Sequence, residues 1–582
     1  MTELSVYQNG EYIGYLVGGT LKDSLRVRLT VPPQQVQEGG FVVIESGEWQ
    51  FYGLVTDLQL GATDPRFADE QSEERLPAGL ARLLHGQTLY TNLEVLPALM
   101  LERGPQPELI EQVGAAAYQR MLDAWNTAHE NQNPHPIPVK TVPSHHARVR
   151  LAQAGDVAEI FGDEMHEDYF RIGSTREQGH PVCIDLKKFV QRSAGIFGAT
   201  GTGKSFLTRI ILAGLIKYNK SSVLVFDMHN EYGFDDTASD TNERVIGLQT
   251  KFRSRMRVVG LGRGTNIRGN NPDFHLEIAE RDIQPEDIEM LTRELNLKET
   301  TPTTLDALRY SLGQSNWFSA FKHMEVGTTI ENEEGKKMPA PGSVAFWANA
   351  NGVNVTAAEA LHSKLGRVFN LPYLSEEPAS AGLDEIIKSL EAGQHVILSF
   401  GKNESDLDYL LVTNLLTRRI RFRWEQTTNE YRTHGEKEPR PLVIVVEEAH
   451  KLLNREMASQ TTFSTIAREM RKYYVTLLII DQRPSQIYDE VMSQLGTRIT
   501  GWLGDDADTH AVLSGLAGRD ALRGMLARLQ PKEEVLLLGW GVPMPIPLRS
   551  RRYDERFWQE LLKDKKGGGQ RTPRDVISDL GF

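Results

Sequence analysis

Short apolar runs separated by turn residues fill the first hundred positions. The runs are rich in β-branched and aromatic side chains, and they read GYLVGG, LRVRLTV, FVVIES and WQFYGLVTDLQLG. Such runs predict strands of a small barrel or sandwich. Residues 102–130 are polar and partly helical in pattern, and the proline-rich stretch NPHPIPVKTVP predicts an extended linker. We therefore predict an N-terminal β-barrel domain with its linker over residues 1–150, with the pattern changing near residue 145.

Continuous apolar runs replace this pattern after residue 150. They read SVLVF (222–226), HVILSF (395–400), LVIVV (442–446), VTLLII (475–480) and EVLLLG (534–539). Runs of this kind suit strands that are buried on both faces of a parallel sheet. Helical patterns such as KSFLTRIILAGLIKY lie between several of them. The alternation predicts an α/β fold with helices on both sides of the sheet.

The stretch from about residue 276 to 390 interrupts the sheet pattern and is rich in helix formers. QPEDIEMLTREL and TTLDALRYSL open on residues that start helices, and ENEEGKKMPAPGS predicts a loop. We predict a helical insertion at 276–390, which divides the α/β core into parts at 151–275 and 391–552. Residues 553–582 are predicted to be a C-terminal tail, with a flexible triple glycine followed by a short helix.

Composition narrows the class of protein. The 582 residues are 40% hydrophobic and 25% charged, as in ordinary globular proteins of about two to four domains. No long uncharged apolar run predicts a membrane span, and the N-terminus lacks the pattern of a secretory signal. The single cysteine, Cys183, excludes an internal disulfide and a four-cysteine zinc site. We expect a cytoplasmic protein with a buried thiol.

The net charge of −13 comes from 65 lysines and arginines against 78 acidic residues. This balance argues against a surface coated with charge for nucleic acid. It does not exclude nucleic acid, because a ring can concentrate a few basic side chains in its channel while its outer surface stays acidic. The overall charge therefore leaves the partner open.

The string GATGTGKS, from Gly198 to Ser205, matches G-x-x-x-x-G-K-[ST] between a predicted strand and a predicted helix. Glycines let backbone N–H groups turn inward around phosphates, and the helix N-terminus adds a favourable field. Lys204 is expected to reach the β- and γ-phosphate oxygens of ATP, and the Ser205 hydroxyl to bind Mg²⁺. A chance glycine-rich turn is the alternative, which the flanking elements disfavour. The predicted nucleotide-binding residues of this region are Gly198, Thr200, Gly201, Thr202, Gly203, Lys204, Ser205 and Phe206.

Two acids, Glu447 and Glu448, follow the run LVIVV. An apolar strand that ends in two acids is typical of a Walker B element, where one acid holds the metal's water shell and the next polarises the attacking water. By order, Glu447 serves Mg²⁺ and Glu448 is the catalytic carboxylate, although the longer reach of glutamate leaves this division of roles open. The alternative is a solvated helix N-terminus, where glutamate is favoured in any case.

Two further polar residues end apolar runs, Asp227 after SVLVF and Gln482 after VTLLIID. The carboxyl ends of strands face the ligand in open α/β sheets, so both residues are candidates for lining the nucleotide site. Gln482 could bond the γ-phosphate or the attacking water. A turn or capping role is the alternative for each residue.

Arginines lie next to two of the predicted strands. Arg192 precedes the strand that leads into the phosphate loop, and Arg468 and Arg471 precede VTLLII. A ring-shaped motor needs an arginine from the neighbouring subunit to stabilise charge on the γ-phosphoryl group. We assign this role to Arg471, with Arg192 as a second anion contact. Solvated arginine side chains are the alternative.

Together these motifs resemble those of the HerA ATPases of archaea and bacteria, in the FtsK/HerA branch of RecA-like P-loop motors. The N-terminal β region also looks like the small HAS barrel of that family, so the resemblance covers residues 1 to about 550. The stretches that carry it are DVAEIFG (156–162), GIFGATGTGKS (195–205), VLVFDMHNEYG (223–233), VIVVEEAHKLL (443–453), IAREMRKYYVTLLIIDQRPSQI (466–487) and LLLGWGVPMPIPLR (536–549).

The resemblance implies a RecA-like core, a homohexamer with a central channel, ATP bound between subunits, and helicase-like pumping of double-stranded DNA. Two departures stand out, because Glu447 replaces the usual aspartate and Asn230 stands where glycine is common, which puts the local turn in doubt. The family's roles carry over to Lys204 and Ser205 of the P-loop, Asp227 of the second strand, the acidic pair Glu447 and Glu448, Gln482 of the QRPS motif, and the inter-subunit arginines Arg192 and Arg471.

The resemblance also implies a partner. HerA proteins work with a NurA-type nuclease in DNA-end resection, and others serve antiviral defence with sirtuin-like or endonuclease subunits. The function we predict is therefore a DNA translocase that feeds a partner nuclease in DNA repair or phage defence. One alternative is an ATP-gated ring scaffold that activates an antiviral nuclease or NAD-cleaving effector. A secretion or conjugation motor is a third, disfavoured because no membrane anchor is predicted.

Basic side chains that could contact DNA occur in three places. Arginine and lysine alternate in KFRSRMR (251–257), Lys402 follows the run HVILSF, and four arginines cluster in RRIRFRW (418–424). Alternating arginines on a strand would point one way and could follow a phosphate backbone. A solvated strand or helix face is the alternative.

Overall fold

The computed structural model describes residues 12–63, 89–107, 109–129, 134–237, 242–331, 336–379, 382–435, 437–457, 462–516 and 518–563. The triple glycine and the short helix predicted for the C-terminal tail lie outside these ranges. The chain divides into two compact units. The first comprises residues 1–189, 197–204 and 496–551, and the second comprises 190–196, 205–495 and 552–582.

Each predicted run forms a strand or part of one, and further strands occur between the runs. Before the phosphate loop they are β1 (Tyr12–Gly19), β2 (Leu25–Leu29), β3 (Phe41–Ser46), β4 (Trp49–Ala62), β5 (Leu89–Glu102), β6 (Ile137–Pro138), β7 (Arg148–Leu151), β8 (Tyr169–Thr175), β9 (Pro181–Asp185) and β10 (Ala194–Phe197). After it they are β11 (Ser222–Asp227), β12 (Asp236–Thr237), β13 (Arg244–Val245), β14 (Met256–Leu261), β15 (Phe274–Leu276), β16 (Ile278–Ala279), β17 (Thr329–Glu331), β18 (Lys337–Pro339), β19 (Leu374–Ser375), β20 (His395–Ser399), β21 (Leu442–Glu447), β22 (Val475–Asp481), β23 (Thr497–Thr500), β24 (Glu534–Gly539) and β25 (Ile546–Ser550).

The helices are concentrated after residue 200. They span Leu109–Val113, Ala115–Ala128, Ala154–Phe161, Leu186–Gln191, Lys204–Tyr218, Leu248–Phe252, Pro285–Glu289, Thr301–Leu312, Trp317–Lys322, Val344–Ala350, Val355–Phe369, Leu383–Glu391, Asp406–His434, His450–Leu453, Thr462–Glu469, Asp489–Gln494, Asp506–Leu513, Arg519–Ala527 and Glu555–Leu562. In the described ranges, none of them combines the length and the apolar character that crossing a membrane requires.

The N-terminal strands form the barrel that the sequence predicts. Their order is β2-β1-β7-β3-β4-β5-β6, and β5 also pairs with β2, which closes a six-stranded barrel in the described part of the chain. Val27, Val55 and Val95, which lie on three different strands, are fully buried in its core, as expected for strands with one face inward. The strand β7 lies between β1 and β3, so the barrel is completed only at Leu151.

A buried ion pair joins β7 to the helix Ala154–Phe161 within the first unit. The guanidinium of Arg150 donates to the Asp156 carboxylate at 2.7 and 3.0 Å and to Glu45 of β3 at 2.8 Å. Arg150 and Asp156 are both buried. A buried charge is stable only when it is paired in this way, so the pair fixes the end of the barrel against the next helix.

The first unit also holds the antiparallel run β23-β24-β25-β8-β9. The run EVLLLG is β24, so its expected place in a parallel sheet is wrong. A short connection joins β24 to β25, and strands joined in this way pair antiparallel. Cys183 lies buried on β9, as expected.

The second unit contains the parallel sheet, in the order β15-β14-β20-β11-β21-β22-β10. The pairs β11–β20, β11–β21 and β21–β22 are parallel, and every residue of these four strands is buried. Continuous apolar runs predicted this double-sided burial, and the α/β fold class is confirmed.

Helices dominate the stretch from residue 285 to 391, where an aromatic cluster fills the interior. Trp317, Phe318 and Phe321 are fully buried, and the Phe318 and Phe369 rings lie edge to face with centroids 5.2 Å apart. Part of ENEEGKKMPAPGS, predicted as a loop, is strand instead, because β17 pairs antiparallel with β18 there.

Candidate functional site

The phosphate loop connects β10 to the helix Lys204–Tyr218, and backbone hydrogen bonds anchor it within the first unit. The Ala199 N–H donates to the carbonyl of Trp502 at 2.9 Å, and the Gly501 N–H donates to the carbonyl of Phe197 at 2.8 Å. The Thr202 hydroxyl is turned inward and donates to the Ala199 carbonyl at 2.7 Å. Thr202 therefore holds the loop in shape.

Glycine is required at specific points of this loop. Gly201 and Gly203 have φ angles of 77° and 90°, in the left-handed region that side chains disfavour. A Cβ atom at Gly198 would lie 2.5 Å from the Thr202 hydroxyl oxygen. The loop can therefore form in this shape only with glycine at these positions.

Lys204 closes the loop from the start of the helix. Its Nζ donates to the carbonyls of Gly198 at 2.8 Å and Ala199 at 2.9 Å. Thr200 is exposed at the tip, and Ser205 is half-buried in the first turn of the helix. The ammonium is thus held against the loop by two of its carbonyls.

Phe206 and Arg209 lie on the helix after the loop, within the second unit. The Phe206 ring packs against Tyr553, with centroids 6.4 Å apart. The Arg209 guanidinium lies 5.4 Å from the centre of the Phe206 ring, and this arginine is only 4% exposed. The Phe206 side chain is therefore occupied by packing, which leaves its backbone N–H as its means of binding a ligand.

Two acids meet at the ends of adjacent parallel strands of the second unit. Phe226 pairs with Val446, so that Asp227 ends β11 beside Glu447 at the end of β21. Asp227 accepts backbone N–H groups from Glu231 at 2.7 Å and Tyr232 at 3.0 Å. Glu447 Oε1 accepts the Tyr232 hydroxyl at 2.6 Å. Glu447 Oε2 is buried and has no hydrogen-bond partner among the described residues.

Burial governs the charge of this acid pair. Desolvation raises the pKa of Asp227 to about 6. Burial, followed by repulsion from Asp227, raises the pKa of Glu447 well above its ordinary value. Two desolvated carboxylates side by side destabilise each other's charged forms. A cation bound at the unpartnered Glu447 Oε2 would offset the repulsion between the two charged carboxylates.

The acid pair fits a Mg²⁺ site in its chemistry. Mg²⁺ binds through oxygen ligands, and with nucleotides it takes one or two protein carboxylates while the phosphates and water supply the rest. The buried, unpartnered Oε2 of Glu447 is such an oxygen. Ser205 and Glu447 are the residues that would hold the ion. The described ranges hold no group of three His, Cys, Asp or Glu side chains for a metal bound by protein alone.

Glu448 adopts an unusual backbone conformation. Its φ is 47°, in the left-handed region that a residue with a Cβ enters at a cost. Strained backbone of this kind is found preferentially at functional sites, where it aims a side chain. The half-buried Glu448 Oε2 lies 3.6 Å from His450 Nδ1. Glu448 is thus half-buried, whereas Glu447, which precedes it, is buried.

Asp481 organises the loops after β21 and β22. Its carboxylate accepts the backbone N–H of His450 at 2.7 Å, the His450 Nδ1 at 2.9 Å and the backbone N–H of Arg483 at 2.6 Å. The hydrogen bond to Asp481 raises the pKa of His450. His450 is thus a structural histidine. Gln482 follows Asp481 directly and is half-buried.

The turn after Asp227 forms although Asn230 stands at a position where the resemblance led us to expect glycine. Asn230 has a φ of 55° and adopts the left-handed conformation that asparagine tolerates better than most residues. Its side-chain amide donates to the Gly401 carbonyl at 3.1 Å and accepts the Gly401 N–H at 2.9 Å. The turn after Asp227 therefore stays intact without a glycine.

The candidate arginines Arg192, Arg468 and Arg471 are separated in sequence from Asp227 and Glu447. Arg471 is exposed in the 3₁₀ turn Met470–Tyr473 and forms no ion pair with any residue that the structure describes. Arg468 pairs with Glu490 at 3.4 Å. Arg192 is half-buried between the helix Leu186–Gln191 and β10. Exposure leaves Arg471 able to contact another molecule.

The basic clusters differ from the expectation of arginines alternating along a strand. Of the basic residues in KFRSRMR, only Arg257 lies on a strand, where it pairs with Glu385 at 3.0 Å. RRIRFRW lies in the long helix Asp406–His434. The ion pairs of its arginines, within the chain, are Arg418 with Asp287, Arg419 with Asp384, Arg421 with Glu425 and Arg423 with Glu391.

Sequence reasoning missed two residues of the site, Tyr232 and Arg209. Tyr232 bonds both acids, through its backbone to Asp227 and through its hydroxyl to Glu447. Arg209 lies beneath it and donates to the Glu231 carbonyl at 2.8 Å. Tyr232 could have been found from its position, because it lies five residues after the strand-end acid Asp227 in an otherwise polar turn. Arginine within an apolar helix was the signal for Arg209.

Comparison with known proteins finds similarity to HerA helicases. Residues 170–420 match the family described as "Helicase HerA, central domain". The chain is 23% identical over 555 residues to the "DNA double-strand break repair helicase HerA" of Sulfolobus acidocaldarius, covering 94% of each protein. It is also 23% identical over 407 residues to the protein of the same name from Pyrococcus furiosus, covering 68% of this chain and 70% of the relative.

Two solved structures align with about two thirds of this chain. The bacterial conjugative coupling protein TrwBΔN70 aligns with a TM-score of 0.41 and 11% identity, over 69% of this chain and 92% of its own. VirB4 of Thermoanaerobacter pseudethanolicus aligns with a TM-score of 0.41 and 15% identity, over 67% and 98%. The chain is thus similar to HerA helicases, in its central region through the family match and over nearly its whole length through the relative from Sulfolobus acidocaldarius.

Proposed function

We propose that this chain is the ATP-driven subunit of a ring that moves double-stranded DNA. The observation that carries the proposal is the pair of strand-end acids, with one buried carboxylate oxygen of Glu447 lacking a partner in the described structure. The same chain holds a glycine-dependent phosphate loop closed by Lys204. Relatives named as DNA double-strand break repair helicases support DNA as the substrate that is moved.

The residues suggest how the chain hydrolyses ATP. Lys204 exchanges its bonds to the loop carbonyls for bonds to β- and γ-phosphate oxygens, and the loop N–H groups bind the remaining oxygens. Ser205 and Glu447 would hold Mg²⁺, and the ion would neutralise charge on the phosphates. Glu448 orients the attacking water and accepts its proton, and Gln482 bonds the γ-phosphate. The products are ADP and phosphate.

A ring of six copies would complete the site. Hydrolysis leaves charge on the γ-phosphoryl oxygens, and an arginine from the next subunit can stabilise it. Arg471 is exposed and has no ion-pair partner in the described chain, so it is available for this contact. Arg192 serves as the second anion contact in this proposal. Asp227 lines the nucleotide site beside Glu447 within the same subunit in this proposal.

The central test is ATP hydrolysis with and without linear double-stranded DNA. DNA is expected to stimulate the wild-type rate, and displacement of a third strand from a triplex is expected to require ATP. Lys204→Ala should abolish hydrolysis by weakening nucleotide binding. Glu448→Gln should lower kcat by a factor of about 10² or more while it keeps nucleotide binding, since it removes only the proton acceptor. Equal hydrolysis with and without DNA would contradict translocation.

The role of Arg471 can be tested with mixed rings. Arg471→Ala alone and Glu448→Gln alone should each be inactive. Mixing the two proteins creates interfaces where an intact Glu448 site faces an intact Arg471, and activity is expected to return there. The control is Arg468→Ala, because that arginine is already paired within the chain. Normal hydrolysis by Arg471→Ala alone would remove it from the mechanism.

We extend the proposal to a partner nuclease that cuts the DNA delivered by the ring. The support is the repair role in the names of the relatives. A purified complex with a nuclease should degrade linear duplex DNA only while ATP is hydrolysed. The Glu448→Gln ring should bind the same nuclease without degradation. Degradation that continues with this variant would show that the nuclease does not depend on the motor.

A further inference from the structure

Glu447 is fixed by two buried tyrosines, each at a different atom. The Tyr232 hydroxyl donates to the carboxylate Oε1 at 2.6 Å, and the Tyr409 hydroxyl donates to the backbone carbonyl at 2.8 Å. Both tyrosines are fully buried. Only the first bond determines how the carboxylate is turned, because a glutamate side chain rotates freely about its terminal torsion unless one oxygen is held.

Tyr232 is itself held rigidly. Its N–H donates to Asp227 Oδ2 at 3.0 Å, so the same residue contacts both acids. Its ring faces the guanidinium of Arg209, 5.5 Å from the ring centre. Arg209 also donates to the Glu231 carbonyl at 2.8 Å. The helix that carries Arg209 begins at Lys204, so the tyrosine lies directly between the phosphate-loop helix and the acid strand.

We propose that Tyr232 is the positioning residue for the metal–nucleotide complex. Its hydroxyl occupies Oε1 of Glu447 and thereby leaves Oε2, which is unpartnered among described atoms, as the oxygen that faces Mg²⁺. The inference rests on the proposed function, since it assumes that Glu447 serves the metal. Residues that orient a metal ligand in this way affect metal affinity even though they do not touch the ion.

The two tyrosines provide a matched pair of variants. Tyr232→Phe removes the hydroxyl from the carboxylate, and Tyr409→Phe removes an equally buried hydroxyl from the backbone of the same residue. Binding of a fluorescent ATP analogue is measured while Mg²⁺ is titrated, and again in EDTA. Tyr232→Phe is expected to raise the half-saturating Mg²⁺ concentration about tenfold, the lower end of such effects. Its affinity for the analogue in EDTA should stay unchanged.

Tyr409→Phe is expected to lower the melting temperature while leaving the half-saturating Mg²⁺ concentration within about twofold of wild type. A Tyr232→Phe protein with wild-type Mg²⁺ dependence would overturn the inference, and so would an equal shift in Tyr409→Phe. If Tyr232→Phe fails to fold, Arg209→Lys keeps the charge but loses the stacking on the ring. It should raise the half-saturating Mg²⁺ about threefold, and no shift would overturn the inference.

The wild-type titration separates this inference from the function beneath it. Mg²⁺-dependent binding in the wild type, without a change in Tyr232→Phe, refutes only the positioning role. A wild-type protein that binds the analogue equally with Mg²⁺ and with EDTA, or not at all, refutes the proposed function and the positioning role together.

Discussion

Replacing Asp227 by asparagine should stabilise the nucleotide-free protein at neutral pH. Asp227 is completely buried at the end of β11, and burial raises its pKa from 3.8 to about 6. The folded protein therefore binds this proton more tightly than the unfolded chain does. The carboxyl group contributes stability that is fully present below pH 3.8 and is lost as the pH rises through about 6. At neutral pH the ionised group is a net cost, which asparagine removes.

The size of the effect follows from the two pKa values. Their difference is about 2.2, and at about 1.36 kcal/mol for each pKa unit this corresponds to about 3 kcal/mol at pH 7.5. Asparagine retains one acceptor oxygen, so it loses one of the two backbone hydrogen bonds from Glu231 and Tyr232. That loss costs about 1 kcal/mol. The expected net stabilisation is about 2 kcal/mol at pH 7.5, reversing to a net loss of about 1 kcal/mol under acidic conditions.

Thermal unfolding at several pH values between 5 and 8 is the assay. The variant should melt about 2–3 °C above wild type at pH 7.5, and the difference should shrink as the pH falls. Asp156→Asn is the control, because its carboxylate is buried but paired with Arg150 at 2.7 Å, and its loss should lower the melting temperature. An Asp227→Asn protein that melts below wild type at pH 7.5, or with a gap independent of pH, would refute the reasoning.

Two further predictions concern stability elsewhere in the chain. Asn230→Gly should lower the free energy of unfolding by about 1 kcal/mol, because it loses the side-chain amide bonds to Gly401 but keeps the turn. Asn230→Val should lower it by about 2 kcal/mol more, because valine is strained at a φ of 55°. Equal stabilities of the two variants in denaturant unfolding would contradict this. Arg150→Ala should cost about 3–5 kcal/mol, since it leaves buried Asp156 without its cation, and a change under 1 kcal/mol would show that the pair contributes little.

Local patterns of sequence predicted the parts of the site that depend on neighbours in the chain. The phosphate loop is one continuous string, and the spacing of its glycines reflects φ angles that only glycine adopts easily. The acids were found because strand ends can be read from apolar runs. Their proximity followed from a general property of parallel sheets, whose strands present their carboxyl ends at one edge.

Contacts across long stretches of chain were not predictable in this way. The Tyr232 hydroxyl bonds a carboxylate 215 positions later, and no local pattern records that partner. The arginines of RRIRFRW appeared free because their acids, such as Asp287 and Asp384, lie far away in sequence. The direction of β24 depended on a short connection to β25 that apolar runs do not encode. The periodicity of apolar residues in the sequence indicates the fold class, whereas the partner of a polar side chain is determined by packing in three dimensions.

The closing position of β7 has a consequence for synthesis on the ribosome. This strand, Arg148–Leu151, pairs with both β1 and β3, so these two strands have exposed edges until residue 151 has left the exit tunnel. Unpaired strand edges promote association between nascent chains. An N-terminal fragment that stops near residue 145, where the sequence pattern changes, would retain both open edges and is expected to aggregate. A fragment ending after Phe161 would close the cylinder and keep the Arg150–Asp156 pair.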